Sequence, residues 1–567
     1  MYEDRFWKKN WDEGVEDLDS KLFDTTLVDI IDQAFQDVPD KTAMGFLGID
    51  VTFSELNAYA NQFANMLLEN GFKKGDVVGI NLPNIPQYII TVIGTLRAGC
   101  IVSGVSPLLS AEQIKYQLND LGGTGKNVAL VTLDAIFAGH LVKIAADIPQ
   151  LKLVVATSVA SFLPKFKQFM GKLLKKIPSG KVSPLPGVTV LDYHKDVFAR
   201  YGTEPVSVDL TPDDLGWIQY TGGTTGDPKG AMLSHRNGCH NIMSIANWLG
   251  WARNEGVLLS GFPFFHIAGL TVCESAIYMG WTQVLIPNPR DTDHICGEML
   301  KYKPTNMANV PSLYQMLIEN PKFKEMDHTD LGTCISAAAP FPKESQVVLE
   351  NIIGEGKLLE LYGMTETSPV STMNPSKGKK KLGTVGLPFL NTQIKFVDPA
   401  SGEAVPLGEP GEVCVGGPLV MKGYFNKPEA TAQAIDGDGY MHTGDVGIMD
   451  QDGYIKIVDR TKDMIIVGGF KVFSSKVEDI IAQHPAVSVL ALIGVENPDR
   501  PGSEIVKAYI QLMPEAIKDR GEDVLKEDII AFAKDKCSPY EVPKMIEFMD
   551  EIPLTAVGKI DKKVLRV

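Results

Sequence analysis

Apolar and polar residues follow one another along this chain in blocks that predict helices and buried strands in turn. After Thr52, which can cap a helix, apolar side chains recur at helical spacing as far as Gly71. A second, mostly apolar helix is predicted over 86–99. Buried strands are predicted at 76–82, 128–132 and 152–156. Because such alternation is typical of parallel sheets covered by helices, we expect an α/β fold.

Residues 163–178 interrupt this alternation. Their apolar side chains recur at helical spacing among five lysines, which predicts a basic amphipathic helix. The sequence leaves two interpretations open. The segment is either a surface helix docked on its own domain or an interfacial helix that contacts anionic lipid at the inner face of a membrane.

The pattern changes again after residue 383. Short alternating runs separated by Gly and Pro predict a small β subdomain over about 383–458. From Val477 onwards, the order helix, strand, strand, helix predicts a small α+β domain. We therefore expect a large N-terminal domain (1–460) of two stacked, parallel-rich α/β subdomains plus the β subdomain, and a C-terminal domain (461–567).

Composition narrows the class of protein. A chain of 567 residues exceeds what one core usually supports, which also favours several domains. The net charge of −16 argues against nucleic acid as a partner, because phosphate backbones require a basic face. The seven cysteines contain no C-x-x-C pair, which predicts thiols in a reducing compartment without a disulfide scaffold or a zinc framework.

Neither export nor membrane insertion is predicted. The N-terminal residues lack the apolar core of a secretory signal. The most apolar region, 88–105, is broken by Arg97 and by glycines, so it indicates a buried helix and strand instead of a membrane span. We expect a cytoplasmic protein.

The stretch Tyr220–His235 carries the clearest chemical signal. It combines four glycines, five hydroxyl side chains that include Tyr220 and Ser234, and Lys229. Glycine lets backbone N–H groups approach an anion, while threonine hydroxyls and lysine add donors and charge. The spacing is not that of a Walker A loop. We predict that this segment binds the phosphates of a nucleotide.

Other polar residues lie at turns where a ligand would be expected. Glu366 follows a predicted strand, and a carboxylate beside phosphates is suited to bind Mg²⁺. Asp445, in a His-Thr-Gly-Asp turn, is suited to accept hydrogen bonds from ribose. His266 lies among aromatic residues, where the pattern alone favours a packed core histidine. Lys559 belongs to a basic tail, and such lysines are usually solvated. It follows Gly558 in a predicted turn, however, which would present its amine on a tight loop.

These motifs together resemble the adenylate-forming superfamily of acyl-CoA synthetases, luciferases and peptide-synthetase adenylation domains, over roughly 27–567. The motifs that carry the resemblance are Tyr220–Gly230, Tyr362–Thr367, Tyr440–Asp445, Asp459-Arg460, Lys462-Asp463 and Gly558-Lys559. Within the superfamily, three features are similar to bacterial long-chain fatty-acid–CoA ligases: the segment 106–120, the insertion at 163–178 and Lys462.

The resemblance implies an AMP-forming acid–thiol ligase that uses ATP, Mg²⁺ and coenzyme A. A carboxylic acid and ATP would give an acyl-AMP and pyrophosphate, and the CoA thiol would then displace AMP. Adenylation provides the carboxylate with a good leaving group, so one difficult step becomes two easier ones. The implied acid is a medium- to long-chain fatty acid.

The resemblance also assigns roles to residues. Lys229 and Lys559 would stabilise phosphate charge, Glu366 would hold Mg²⁺, and Thr365 would reach the α-phosphate. Expected nucleotide contacts are Thr221, Gly222, Gly223, Thr224, Thr225, Gly226, Ala338, Ala339, Pro340, Glu360, Leu361, Tyr362, Gly363, Met364, Thr365, Asp445, Ile457 and Arg460. His266 would lie beside the acyl carboxylate. The expected catalytic residues are Lys559, Lys229, Glu366, His266 and Thr365.

The remaining roles concern the acid and CoA. Expected acyl contacts are His266, Val310, Ser336, Ala337 and Ala338. A mobile C-terminal domain would rotate about a hinge at Lys462 and bring Gly468, Gly469, Phe470 and Lys471 to CoA.

The chain departs from the family pattern at two places. Ser336-Ala-Ala-Ala-Pro340 has two methyl groups where the family often has glycines, which would narrow the acyl pocket. In Lys471–Glu478, a serine and a lysine replace the family's proline and glutamate, which weakens the assignment of the CoA contacts.

Three alternatives stay open. The acid could be alicyclic or aromatic, or the acceptor could be a carrier protein, although no carrier domain is fused to this chain. A non-catalytic nucleotide-binding protein is disfavoured, because Lys229, Glu366, Asp445 and Lys559 are all present. The expected partners are small molecules and, through 163–178, a membrane surface. The sequence does not distinguish a monomer from a homodimer.

Overall fold

A computed structural model describes residues 2, 4–173, 177–221, 227–468, 470–498, 500, 503–519, 521–554 and 560–566. These residues form two compact units. The first contains Met1–Gly222, Pro228–Gln393 and Val415–Met441, and the second consists chiefly of Ile394–Cys414 and His442–Val567. The predicted domain boundary at 460/461 stays a prediction.

The structure contains 26 strands. In chain order they are β1 (Thr42–Phe46), β2 (Ile49–Thr52), β3 (Val77–Asn81), β4 (Ile101–Gly104), β5 (Val128–Leu133), β6 (Leu151–Thr157), β7 (Thr189–Asp192), β8 (Leu215–Thr221), β9 (Lys229–Ser234), β10 (Val257–Ser260), β11 (Thr282–Leu285), β12 (Asn306–Asn309), β13 (Thr333–Ser336), β14 (Leu358–Gly363), β15 (Val370–Met373), β16 (Leu387–Pro388), β17 (Gln393–Val397), β18 (Gly411–Gly416), β19 (Gly423–Tyr424), β20 (Met441–Met449), β21 (Ile455–Arg460), β22 (Ile465–Val467), β23 (Phe470–Val472), β24 (Val487–Glu496), β25 (Glu504–Leu512) and β26 (Met545–Phe548), all counted within the described residues.

Twenty α-helical segments lie between the described strands. They are α1 (Ser20–Phe23), α2 (Leu27–Asp37), α3 (Phe53–Glu69), α4 (Pro86–Arg97), α5 (Ala111–Gly122), α6 (Asp134–Ile136), α7 (Val142–Ile144), α8 (Lys165–Leu173), α9 (Phe198–Arg200), α10 (His235–Trp248), α11 (Ile267–Tyr278), α12 (Thr292–Tyr302), α13 (Pro311–Glu319), α14 (Pro321–Glu325), α15 (Lys343–Ile353), α16 (Pro428–Ala434), α17 (Ser474–Ile481), α18 (Pro514–Asp519), α19 (Glu522–Lys536) and α20 (Lys562–Leu565).

The early helices form where the sequence predicts them. Thr52 caps α3 in a capping box, in which its hydroxyl accepts from the Glu55 N–H and the Glu55 carboxylate accepts from the Thr52 N–H. Every residue of α4 is buried, as the mostly apolar pattern indicates. α8 occupies the described part of the predicted basic helix; residues 174–176 lie outside the described part.

Two large sheets dominate the first unit. The first sheet has the order β19-β9-β8-β4-β3-β5-β6-β7, and its strands from β8 to β7 run parallel. The second has the order β16-β15-β14-β13-β12-β10-β11-β1-β2, with β14 to β1 parallel. One hydrophobic core joins side chains of both sheets to those of α3, α4, α10 and α11. The predicted α/β fold is therefore confirmed.

The second unit contains smaller sheets. Strands β17, β18, β20 and β21, most of whose residues belong to this unit, form a four-stranded sheet, and β24, β25 and β26 form a three-stranded one. The expected order helix, strand, strand, helix omitted β26, which pairs parallel to β25. Alternation of exposed and half-buried residues along β26 gives it a weak apolar signal.

No helix within the described residues is long and apolar enough to cross a bilayer.

Candidate active site

The predicted phosphate-binding stretch spans a β-hairpin. β8 and β9 are antiparallel, and Thr221, the last residue of β8, pairs with Lys229, the first of β9. The pattern predicted a loop running up to a helix at Ser234, so β9 was missed. Gly222, Gly223, Thr224, Thr225 and Gly226 lie outside the described residues, and their predicted contacts stay a prediction.

Two hydroxyls of this stretch have other tasks. The Tyr220 hydroxyl donates to Asp120 Oδ2 at 2.6 Å. Ser234 is buried and caps α10, where its Oγ accepts from the Asn237 N–H. Neither Tyr220 nor Ser234 is among the predicted nucleotide contacts, and these two hydrogen bonds leave that prediction unchanged.

The segment Glu360–Glu366 ends β14 and turns sharply. Gly363 is required there, since a Cβ at this position would lie 1.8 Å from the Pro369 carbonyl oxygen. Thr365 and Glu366 follow and are buried. The turn thus places a buried carboxylate just beyond the carboxyl end of β14, as predicted.

Tyr424 connects Lys229 and Glu366, two residues of the predicted phosphate site, although no sequence pattern indicated it. Its hydroxyl donates to Glu366 Oε1 at 2.7 Å. The Lys229 ammonium lies 5.1 Å from the centre of its ring, a cation–π distance. Pairing of β19 with β9 brings Tyr424 here from almost two hundred positions away, so no local pattern could reveal it.

Glu360 is a buried carboxyl at the start of this segment. Burial raises its pKa to about 7, although hydrogen bonds from Gln346 and from the backbone of Gly383 and Phe341 oppose the shift. The Gln346 side chain donates to Glu360 Oε2 at 2.6 Å. A carboxyl of this kind changes charge near neutral pH.

An apolar pocket adjoins the same strand ends. Its walls include Leu361 and Pro369, which flank Tyr362 and Glu366 in the chain, and Ala337 at the end of β13. The other lining residues are Ile245, Trp251, Leu258, Phe262, Ala268, Thr271, Val272, Ser275, Ala308, Ile335, Val370 and Met373. This lining suits an apolar ligand segment.

Of the residues expected to contact the acid, Ala337 lines this pocket, and the others stay a prediction. His266 caps α11, with its Nδ1 accepting from the Ala268 N–H at 3.3 Å, and Ala268 lines the pocket. Val310 precedes α13. Ser336 Oγ is buried and has no hydrogen-bond partner within the part of the chain that the structure describes. Such a group is suited to meet a polar atom of a ligand.

Ala338 has a backbone φ of +73°, a left-handed conformation that favours glycine. The family pattern often has glycine at this position. Of the two added methyl groups, that of Ala337 belongs to a pocket-lining residue, while Ala338 carries backbone strain.

In the second unit, β20 and β21 bring the expected ribose contacts together. Asp445 pairs with Arg460 across the two strands, and Arg460 Nε lies 3.2 Å from Asp445 Oδ1. Ile457 lies on β21, opposite Gly447. Two residues that are distant in sequence therefore present one carboxylate and one guanidinium from adjacent strands.

The expected hinge and CoA residues lie just beyond. Burial lowers the pKa of Lys462 to about 8, and the neighbouring Asp463 opposes the shift. Phe470 is 58% exposed and stacks on Tyr540. The Lys471 ammonium pairs with Asp398 at 2.7 Å. Gly468 directly follows β22 and has a positive φ of +60°. Gly469, Gly558 and Lys559 lie outside the described residues.

Comparison with known proteins identifies the class. The family model for AMP-binding enzymes matches residues 31–425, and that for the AMP-binding enzyme C-terminal domain matches 476–559. The chain therefore belongs to the AMP-binding enzyme family, which confirms the resemblance drawn from the motifs.

Particular relatives are similar over nearly the whole chain. A long-chain-fatty-acid–CoA ligase of Bacillus subtilis (strain 168) is 37% identical over 556 residues, covering 95% of this chain and 94% of the relative. That of Escherichia coli O6:H1 is 36% identical over 552 residues, with the same coverage. The solved anthranilate CoA ligase AuaEII, in complex with anthranoyl-AMP, has a TM-score of 0.81 and 25% identity, covering 97% of this chain and 98% of that one.

Proposed function

We propose that this protein is an AMP-forming acyl-CoA ligase that activates medium- to long-chain fatty acids. The observation that carries an apolar acid as substrate is the pocket whose lining residues Leu361 and Pro369 flank the Tyr362–Glu366 segment; the chain length rests on the relatives. An acyl chain in this pocket would have its carboxylate near that segment, where an adenylate would form. The long-chain relatives support the same substrate.

We assign the phosphate chemistry to the predicted phosphate-binding stretch and to the residues that follow β14. Lys229 and Thr221–Gly226 would hold the β- and γ-phosphates, while Thr365 would reach the α-phosphate. Glu366 fits Mg²⁺, because it offers a buried, hard carboxylate oxygen held by the Tyr424 hydroxyl. When bound, Mg²⁺ would neutralise charge that develops on the phosphate oxygens. Tyr362 and Ala338–Pro340 would contact the adenine.

The acyl carboxylate would lie beside His266, with Ser336 Oγ as a further donor. The ring orientation of His266 is fixed by its hydrogen bond to the Ala268 N–H. Fixing the imidazole would lower the entropic cost of aligning the carboxylate with the α-phosphate. Val310 and Ala337 would limit the space for the acyl chain.

The second unit would supply the ribose and CoA contacts. Asp445 would accept hydrogen bonds from the ribose hydroxyls, with Arg460 holding its carboxylate in place. Lys559 would approach the phosphates for adenylation, and rotation about Lys462 would exchange it for Gly468–Lys471 at the CoA thiol. The burial that lowers the Lys462 pKa would be relieved by such a rotation.

A screen of carboxylic acids tests the proposed function. Purified enzyme is supplied with ATP, Mg²⁺ and fatty acids of increasing length, and pyrophosphate release is measured with and without CoA. We expect turnover to depend on CoA and to be highest with medium or long chains. Turnover without any dependence on CoA would contradict the ligase assignment and favour a carrier protein as acceptor.

An aromatic or alicyclic acid is the second candidate, since the solved anthranilate CoA ligase has the same fold. Trp251 in the pocket wall offers a flat face for an aromatic ring. The same screen includes benzoate, anthranilate and a cyclohexane carboxylate. Preference for these acids over fatty acids would replace the fatty-acid assignment while leaving the adenylation chemistry in place.

We also propose that α8 contacts anionic lipid. The tripeptide Lys-Phe-Lys occurs twice: Phe166 of α8 is 73% exposed, whereas Phe323 of α14 is fully buried. An exposed phenylalanine between two exposed lysines is the composition of an interfacial helix. Such a contact would bring the enzyme to the bilayer in which its proposed substrate dissolves.

A further inference from the structure

A cluster of three metal-binding side chains lies outside the residues assigned to catalysis. Glu412 and Cys414 are two positions apart on β18, so their side chains share one face of the sheet. His442 is the second residue of β20, the strand next to β18 in the sheet, and its ring lies close to both side chains. One ligand atom from each residue lies within 4.8 Å of the others.

The distances match a tetrahedral ion. His442 Nδ1 lies 3.5 Å from Cys414 Sγ and 3.0 Å from Glu412 Oε2. With usual zinc–ligand bond lengths, the edges of a tetrahedron are about 3.5 Å for sulfur to nitrogen and about 3.3 Å for nitrogen to oxygen. On these two edges an ion could therefore enter with shifts of only a few tenths of an ångström, and the third edge, from Cys414 Sγ to the Glu412 carboxylate, is within 4.8 Å.

We propose that Glu412, Cys414 and His442 bind one Zn²⁺ ion, with water as the fourth ligand. The donor set of thiolate, imidazole and carboxylate favours zinc over Mg²⁺, which prefers oxygen ligands alone. Binding would release the thiol proton of Cys414 to solvent, and the His442 ring would carry its proton on Nε2. A thiolate and a carboxylate then balance the two charges of the ion.

The ion would cross-link β18 to the start of the ribose-binding turn. Glu412 Oε1 already accepts from the Gly444 N–H at 3.0 Å, so coordination through Oε2 leaves that bond intact. Asp445 follows directly. Bound zinc would fix the backbone that carries Asp445 and, by binding the folded state alone, would raise the thermal stability of the protein.

Cobalt provides a direct test. The full-length enzyme is treated with a chelator, returned to buffer with excess Mg²⁺ and titrated with Co²⁺, which reports thiolate ligation by a charge-transfer absorption. We expect a band that saturates at one Co²⁺ per chain and that Zn²⁺ displaces, together with a higher Tm. The Mg²⁺ site at Glu366 cannot produce this band, because it offers oxygen alone. Absence of the band would overturn the proposal.

Variants locate the site. Cys414→Ser should abolish the band, whereas the matched control Cys537→Ser, at a half-buried cysteine elsewhere in the second unit, should retain it. A full band in Cys414→Ser would overturn the proposal. Glu412→Gln provides a second measurement if Cys414→Ser fails to fold. It should weaken Co²⁺ binding at least tenfold, and an unchanged affinity would also overturn the proposal.

Discussion

At the residue scale, Tyr424 contacts both Glu366 and Lys229 of the predicted phosphate site. Its hydroxyl is bonded to Glu366 and its ring lies beneath Lys229. Tyr424→Phe keeps the ring and removes only the hydrogen bond to the carboxylate. Because a hydrogen bond to a charged group contributes roughly 1.5–3 kcal/mol, we expect pyrophosphate release to slow about tenfold or more and to require more Mg²⁺.

Tyr220→Phe is the matched control, since Tyr220 lies on the same sheet as Tyr424 and its hydroxyl is hydrogen-bonded to Asp120 of α5. Its rate and its Mg²⁺ dependence should stay close to those of the unmodified enzyme. Equal effects of the two substitutions in a pyrophosphate assay would contradict a positioning role for Tyr424.

Glu360 predicts a pH dependence of stability. Its pKa in the folded protein is about 7, against an ordinary value of 4.5. The folded state therefore holds a proton that the unfolded state has lost between these values. The stabilisation is fully present below about pH 4.5 and is lost as the pH rises through about 7, to an extent of about 3 kcal/mol.

Glu360→Gln should remove this pH dependence, because an amide does not titrate. Melting temperatures of both proteins measured from pH 5 to pH 8 test it: the variant should gain stability relative to the unmodified protein as the pH rises. The quantity compared is the slope of the melting temperature against pH, because any loss of stability caused by the amide itself is the same at every pH. Parallel profiles would show that Glu360 does not titrate in this range.

At the element scale, α8 and α14 offer a comparison within one protein. Lys165→Glu with Lys167→Glu should weaken binding to vesicles of phosphatidylcholine and phosphatidylglycerol by at least about tenfold, because each lysine near an anionic surface contributes about 1 kcal/mol. Lys322→Glu with Lys324→Glu changes the same charges around the buried Phe323 and should have little effect. Equal vesicle binding by both double variants would favour the docked-helix interpretation.

Elements with strong local signals were predicted correctly from the sequence. α3, with its capping box, and the fully buried α4 are examples. β9 and β26 were missed for a common reason. Lys229–Ser234 reads as the end of a glycine-rich loop, and Met545–Phe548 has no buried face; each becomes a strand because a neighbouring strand pairs with it.

At the scale of the whole molecule, the proposed division of labour between the two half-reactions can be tested. Lys559→Ala should abolish formation of acyl-AMP, measured as pyrophosphate release. It should leave the transfer of a supplied acyl-AMP to CoA largely intact, because that step would use Gly468–Lys471. The Lys562→Ala variant controls for loss of a nearby lysine, one that pairs with Glu478 within the second unit. Loss of both half-reactions in Lys559→Ala would remove its assigned role.

The sequence alone determined the fold class and the family and indicated the residues that we propose for adenylation, because glycine-rich turns, capping boxes and helical periodicity are local properties of the chain. The tertiary structure decided what depends on strand pairing and burial. It assigned the Tyr220 hydroxyl to Asp120, brought Tyr424 to Glu366 and placed His442 against Glu412 and Cys414. These contacts join residues up to a hundred positions apart, and the pairing of strands that creates them is not encoded at any one position.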